Sequence, residues 1–482
     1  MPATSDYTST EREQAFLRSI EKGKYDRRIV SGLSRFIRRK VPEDMRLLYS
    51  DRELSALTNL KNGLRDIEAR MPVKITRHYF EMARNSGPLR TLIKASPKET
   101  MDLAGAPDPG RQMDYSPVEG LIHKYELGLI YVASTCSAHC RFCYREELIA
   151  RKTVDRPDGS AAPKGLANIP ELVAYIREHN RLVAGNGGTH PETGRVALRE
   201  ILMSGGDPMV LNNRKIGAWL AALAEAGIDS IRIGTKELAF HPDRIDHAFL
   251  AMLDSFHGAY PRVQLRMVLH FNHPDEFLLR DAGGEPCESG AGVPLWRDNT
   301  RRAVEALRSR HWVSLSNQTP IIRGINDDAD TLRLLQRELK RAGVENHYFF
   351  CGRDIIGHKA FNVPIEAAWR ILNDSQKGLS GIDAQARLVL SHFKGKIEVV
   401  AVIDETPKAI PDAGGGLVVF KLLRSPADAA NRSKISLARR HGKAVWIDAY
   451  ENRMIYDGAG IFTRNETPAE SGGHLLDSVI NA

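Results

Sequence analysis

Cysteine is scarce in this sequence: five in 482 residues, three of them between positions 136 and 143. A disulfide framework would spread an even number of cysteines along the chain, so this distribution excludes one and points to a metal site in a reducing compartment. Long apolar runs are missing too. No stretch reaches the roughly 18–20 uninterrupted apolar residues that a membrane helix needs. The opening segment, residues 1–16, is polar with mixed charge and has no apolar core of a secretory signal, which predicts a cytoplasmic protein. Long basic stretches are also absent. The net charge of +8 is scattered over short runs such as 35–40 and Arg439-Arg440, with no basic–aromatic alternation. That pattern predicts a solvated basic surface and argues against nucleic-acid binding.

What is present is enough apolar sequence for a sizeable core: 42% of residues are hydrophobic and 27% charged, as in ordinary globular chains. The length exceeds one usual domain, and three parts are expected. Residues 1–118 read as an N-terminal helical region, with helix formers over 11–39 and apolar residues at helical spacing (Leu54, Leu57, Leu60, Leu64, Ile67). Residues 104–110, rich in Gly and Pro, read as a linker. Residues 119–385 alternate short apolar runs (127–133, 200–204, 230–234, 263–271, 313–321, 347–351) with helical stretches (169–181, 215–225, 243–256, 298–309, 328–342). Such alternation implies a parallel sheet. Six strands predict an α/β fold, a partial (β/α)6 TIM-like barrel with its chemistry at the C-terminal strand ends. Residues 386–482 read as a C-terminal α+β extension, with strands at 396–403, 416–423 and 444–450 and a mobile tail from 466.

Chemistry is concentrated just after the first strand. Cys136, Cys140 and Cys143 stand in a C-x3-C-x2-C pattern that ends in Tyr144-Arg145. Three thiolates can ligate three irons of a 4Fe–4S cubane and leave the fourth open. Structural zinc wants four closed ligands, and the nearby candidate, His139, lies inside the motif, where its geometry would be strained. The second strand is followed by Ser204-Gly205-Gly206-Asp207. Glycines there allow close backbone approach, and the carboxylate can accept from an ammonium.

The cysteine motif in this position resembles the radical S-adenosylmethionine (SAM) superfamily. Segments 136–145, 202–208, 231–234, 270–274, 316–327, 347–350 and 361–364, in that order, are similar to the lysine 2,3-aminomutase family over about residues 120–365. The resemblance implies a 4Fe–4S cluster on the three cysteines, with SAM chelated at the open iron and cleaved by one electron to a 5′-deoxyadenosyl radical. It implies SAM contacts from Phe142, Ser204, Gly205, Gly206, Asp207, His270, Asn272 and Gln318, with Asn317 a further cofactor-contacting candidate. It implies an isomerase that shifts an amino group within an amino-acid-like substrate, with a flavodoxin or ferredoxin as reductant and a homo-oligomer allowed. Arg145 matches the arginine that pairs with the substrate carboxylate. Arg353, Asp354 and Asp404 fall near the family's two aspartates for a distal ammonium. Arg353 in that place would repel a lysine ammonium and favour an acidic or neutral distal group; a one-residue shift would put Asp354 there instead. For pyridoxal phosphate (PLP), Lys408 is the candidate anchoring lysine, ahead of Lys421, and Lys124 and Tyr125 the candidates for the phosphate. Gly128 replaces a second arginine of the family, and PLP use stays open. The alternative is a PLP-independent radical SAM enzyme performing dehydrogenation, epimerisation or elimination. The C-terminal zinc cysteines of some lysine mutases are missing, since no cysteine follows Cys351.

Overall fold

The computed structural model describes residues 9–20, 29–30, 48–59, 67, 70–101, 103–149, 153–155, 161–163, 165–281, 283–405, 415–426 and 432–462. Its backbone is an open mixed sheet. Seven neighbouring strands run parallel: β1 (Leu127–Ala133), β2 (Glu200–Gly205), β3 (Ser230–Thr235), β4 (Gln264–Leu269), β5 (Val313–Pro320), β6 (Glu345–Phe350) and β7 (Arg387–His392). A two-residue strand, Leu121–Ile122, pairs antiparallel with β1 at one edge. At the other edge β8 (Gly395–Ile403), β9 (Leu417–Arg424), β10 (Ile435–Arg439) and β11 (Met454–Asp457) continue the sheet as an antiparallel meander. The sheet therefore runs without a break through the expected boundary at 385/386.

The first six parallel strands match the six expected apolar runs to within a residue or two at most ends. β7 is an addition to that count. The helices between the strands are α1 (Ile169–Gly185), α2 (Asn213–Glu225), α3 (His247–Ala259), α4 (Asp298–Arg308), α5 (Ala329–Arg341) and α6 (Ile365–Gln376). Four of them start on a side chain that accepts an otherwise unpaired amide: Asn168 from Glu171, Asn212 from Lys215, Asp246 from Phe249 and Asp328 from Thr331. Each buries one face; Leu332, Leu335 and Leu339 of α5 are fully covered. The C-terminal halves of β2 and β4 are buried on both faces, as parallel strands under helices must be.

One expected strand is absent. Residues 447–453 form a 3₁₀ helix, and the buried residues Trp446, Ile447 and Tyr450 recur at helical rather than alternating spacing. In the N-terminal region, helices occupy Ser9–Ser19, Asp51–Asn59, Arg77–Arg84, Gly87–Ile93 and Lys98–Met101. The remainder of the helix expected over 11–39, and the expected tail from 466, lie outside the described residues apart from a short strand, Ile29–Val30. No described helix is long and apolar enough to cross a membrane.

Candidate active site

Every parallel strand delivers its C-terminal end to one mouth, and a cavity of 310 Å³ opens there. β1 leads into the loop of Cys136, Cys140 and Cys143, all free thiols that line the cavity. Among the described residues no three His, Cys, Asp or Glu side chains converge on one ion. His139 is turned to the backbone: its Nδ1 lies 2.7 Å from the Pro72 carbonyl. Burial pushes the Cys140 thiol up to about 12, so ionising it needs a bound cation.

The N-terminal region grips this loop. Lys74 Nζ donates to the Cys136 carbonyl at 2.6 Å, and the His139 amide donates to the Lys74 carbonyl at 2.9 Å. Between the second and third cysteines, Arg141 is fully buried. It makes a two-pronged ion pair with Glu99 (3.0 and 2.6 Å) and donates to the Met71 carbonyl at 2.7 Å. Arg70 joins Glu99 to Glu146, which lies 3.1 Å from His358 Nε2.

β2 ends on Ser204, Gly205, Gly206 and Asp207, all facing the cavity. A β-carbon on Gly205 would stand 2.3 Å from the Ala133 carbonyl oxygen, and one on Gly206 2.1 Å from that of Thr135. The glycines thus let the end of β2 pack directly on the cysteine loop, and Gly205 sits at φ +119°. The Asp207 carboxylate is committed to the protein. It accepts from Thr235 Oγ1 (2.8 Å), the Lys236 amide (2.7 Å) and the Met209 amide (3.0 Å). It ties β2 to β3.

Phe142, His270 and Gln318 also line the cavity. Burial and the neighbouring Lys236 and Arg145 lower the His270 imidazole to about 3, so it is neutral. Asn272 and Asn317 are placed otherwise. Asn272 is fully buried between Lys236 Nζ (2.6 Å) and Thr319 and does not line the cavity. Asn317 bridges the Phe271 amide and carbonyl, tying β5 to the end of β4.

Arg145 crosses the cavity. It donates to Ser204 Oγ (2.5 Å) and the Gly205 carbonyl (3.0 Å), and its buried Nε has no partner. Its guanidinium and that of Arg353 both lie over the Tyr144 ring, at 4.6 and 4.2 Å from the centroid. Arg353 lines the cavity, whereas Asp354 turns to Lys359 at 2.7 Å. Lys124 Nζ donates to the His392 carbonyl at 2.6 Å between the Tyr115 and Tyr125 rings, and the buried Tyr125 hydroxyl has no partner.

Over 367 residues the chain is 32% identical to a protein assigned as an L-lysine 2,3-aminomutase in Aquifex aeolicus, covering 75% of this chain and 82% of that one. The chain belongs to the lysine 2,3-aminomutase family. The L-lysine 2,3-aminomutase of Clostridium subterminale is 23% identical over 67% of either chain. The glutamate 2,3-aminomutase of Clostridioides difficile is 28% identical over 57% of this chain, which spans about half (54%) of that relative. No protein-family model matches the chain. A solved radical SAM methyltransferase from Sphaerobacter thermophilus aligns over 56% of this chain and 68% of its own at 16% identity and a TM-score of 0.32, too distant to bear on the site.

For this aminomutase-family member the lysine reading changes. Lys408 lies outside the described residues. Asp404 is exposed and paired with Arg370 (2.6 Å) and Arg440 (2.5 Å), away from the cavity. Lys421 lies on β9 and does not line the cavity either. Beside Lys408 the structure adds Lys396 as a candidate, which the sequence reading treated only as the start of a strand. β7 and β8 form a tight hairpin in which Ser391 pairs with Lys396, so this lysine stands at the mouth and lines the cavity. Its amine lies over Tyr348 (4.7 Å) and Phe350 (5.4 Å), with no hydrogen-bond or ion-pair partner among the described residues. Burial, aided by Arg424, Arg232 and Arg353, lowers it to about 7. The available signal was the Lys394-Gly395-Lys396 turn just before the strand expected at 396–403.

Proposed function

We propose that this chain is a radical SAM aminomutase that moves an amino group between adjacent carbons of an amino acid. One observation carries the reading: three cysteines, Arg145 and Lys396, whose amine has no hydrogen-bond or ion-pair partner among the described residues, line the same cavity. The cysteines would hold a 4Fe–4S cluster, which with SAM supplies a hydrogen-abstracting 5′-deoxyadenosyl radical. Ser204, Gly205, Gly206, His270 and Gln318 line the side of the cavity next to the cysteine loop and would seat SAM. Arg145, fixed by Ser204 and Gly205, presents a donor for the substrate α-carboxylate.

The residues present also fit PLP, which when bound would hold the substrate nitrogen and delocalise an unpaired electron into its ring while that nitrogen changes carbon. Lys396 offers a desolvated amine of the kind that joins an aldehyde. Lys124 and Tyr125 line the same cavity and would hold the phosphate. No carboxylate faces Lys396 from the described lining, so its amine is free to react when neutral.

The test is direct. The anaerobically reconstituted protein, incubated with PLP and reduced with borohydride, should carry a pyridoxyl group that peptide mass spectrometry maps to Lys396. Labelling should rise as pH passes about 7, because the reactive amine is the neutral form above that pKa, and Lys396→Ala should abolish it. Normal SAM cleavage without any PLP uptake would instead favour the PLP-independent reading. Protein that binds no iron at all would refute both.

A further inference from the structure

Resting on the isomerase reading above, the cavity can be asked which amino acid it takes. The carboxylates are missing from it. Among the described lining residues the sole acidic side chain is Asp207, and its oxygens are occupied by Thr235, Lys236 and Met209. Arg353 and Arg145 line it and share the Tyr144 ring, while burial lowers the lining amines of Lys124 and Lys396 to about 7. The neighbours of Arg353 cannot reverse this charge. Asp354 is drawn off to Lys359. At position 352 a β-carbon would stand 2.3 Å from Asn362 Oδ1, so the adjacent residue has no room for an acidic side chain.

The placement of Arg353 sets a scale. Its guanidinium carbon and that of Arg145 lie 4.2 and 4.6 Å from the centroid of one ring, Tyr144, so they stand no more than about 8.8 Å apart. Stacking on tyrosine holds each guanidinium plane; Arg145 is further fixed by Ser204, Gly205 and the Tyr144 hydroxyl, and a planar guanidinium suits a carboxylate. No ion-pair partner of Arg353 exists among the described residues, whereas the other arginine lining the cavity, Arg232, is paired with Glu200.

We propose that the substrate is a short dicarboxylic amino acid, its α-carboxylate on Arg145 and its distal carboxylate on Arg353. A lysine side chain would bring a second ammonium against Arg353 with no acid to receive it. Truncating one partner of a buried charged hydrogen-bonded pair typically lowers binding by about 30-fold or more. A like charge in its place should discriminate at least as strongly.

The experiment uses the reconstituted, PLP-loaded protein with SAM, and titrates aspartate, glutamate and lysine by calorimetry while scoring 5′-deoxyadenosine and β-amino product separately. Aspartate or glutamate should bind at least about 30-fold tighter than lysine. Arg353→Gln should remove that preference while PLP uptake at about pH 9, where the Lys396 amine is neutral with or without the Arg353 charge, is unchanged, and Arg353→Asp should reverse the preference. Equal or tighter binding of lysine by the wild type overturns the inference, as does loss of PLP uptake in Arg353→Gln, which would assign Arg353 to the phosphate. Tight binding of the diacid with 5′-deoxyadenosine but no β-amino product supports the substrate class while overturning the isomerase reading.

Discussion

Removing the Glu99 carboxylate should loosen the cysteine loop and the N-terminal region together. Its side chain is fully buried and receives Arg141 through two hydrogen bonds, Arg70 through a third, and the Ser96 amide at 3.0 Å. Glu99→Ala leaves two buried guanidinium groups with only Glu146 between them. Breaking a buried pair in this way costs about 3–5 kcal/mol, because the remaining charge has lost its compensation. With urea slopes of about 3 kcal/mol/M or more for a chain of this size, the midpoint should fall by about 1 M. The assay is urea unfolding of the metal-free protein, so that cluster loss is not confused with folding. Iron per chain after reconstitution is the second readout, and it should fall because Arg141 lies between two cluster cysteines. The pH dependence supplies a sign test. Burial alone would raise the Glu99 carboxyl, but Arg141 and Arg70 outweigh it and hold it below its ordinary value. A depressed carboxyl contributes stability that is complete above the unfolded pKa, about 4.3, and is lost as pH falls through the folded one. The wild type should therefore lose stability below about pH 4 more steeply than Glu99→Gln. An unchanged urea midpoint in Glu99→Ala would refute the coupling.

Three further outcomes are expected. Gly206→Ala should destabilise by about 1–3 kcal/mol and lower iron uptake, since its β-carbon would meet the Thr135 backbone at 2.1 Å; urea unfolding and iron assay check both. Tyr125→Phe removes a buried hydroxyl that has no partner, so unfolding stability should hold or rise by up to about 1 kcal/mol while PLP affinity, followed by absorbance titration, weakens. Asp404→Ala should leave kcat/KM for any accepted amino acid within about twofold, because its ion pairs are on an exposed surface away from the cavity.

Much of the parallel sheet was legible because each strand is a short apolar run between polar helical stretches, and those runs differ in kind from what flanks them. β1 was read at its observed ends, 127–133. The cysteine spacing was legible for a different reason: it is local, so no tertiary information is needed to bring the three thiols together. β7 was hidden by its brevity. Six residues ending in Ser-His carry little apolar signal, and their burial depends on β6 and β8 on either side. Residues 444–450 misled because two aromatics and two aliphatics within seven positions suit a strand as well as a tight helix. The hydrogen bonds that hold Asp207 were not visible either. Thr235 and Lys236 reach it across 28 and 29 positions, and only the parallel register of β2 and β3 makes them neighbours.

Choosing among the lysines depended on direction. The glycine run at 414–416 drew attention to the segment after residue 403, and by sequence that segment follows a strand as a mouth loop should. But β8 is antiparallel to β7. A chain that turns at the mouth and runs back carries its far end away from the chemistry. At about 3.4 Å per residue, the seven steps from Lys396 to Ile403 move the backbone some 24 Å toward the other end of the sheet. Asp404 therefore emerges where the parallel strands begin, and the residue at the turn, Lys396, inherits the mouth. Strand polarity is a long-range property: it is decided by whether β7 joins β6 in parallel, which no local pattern in 386–417 states. The same topology explains why the amine at this turn is depressed. A hairpin tip seated over Tyr348 and Phe350 buries its lysine against rings, and the cations Arg424, Arg232 and Arg353 add to the cost of charging it.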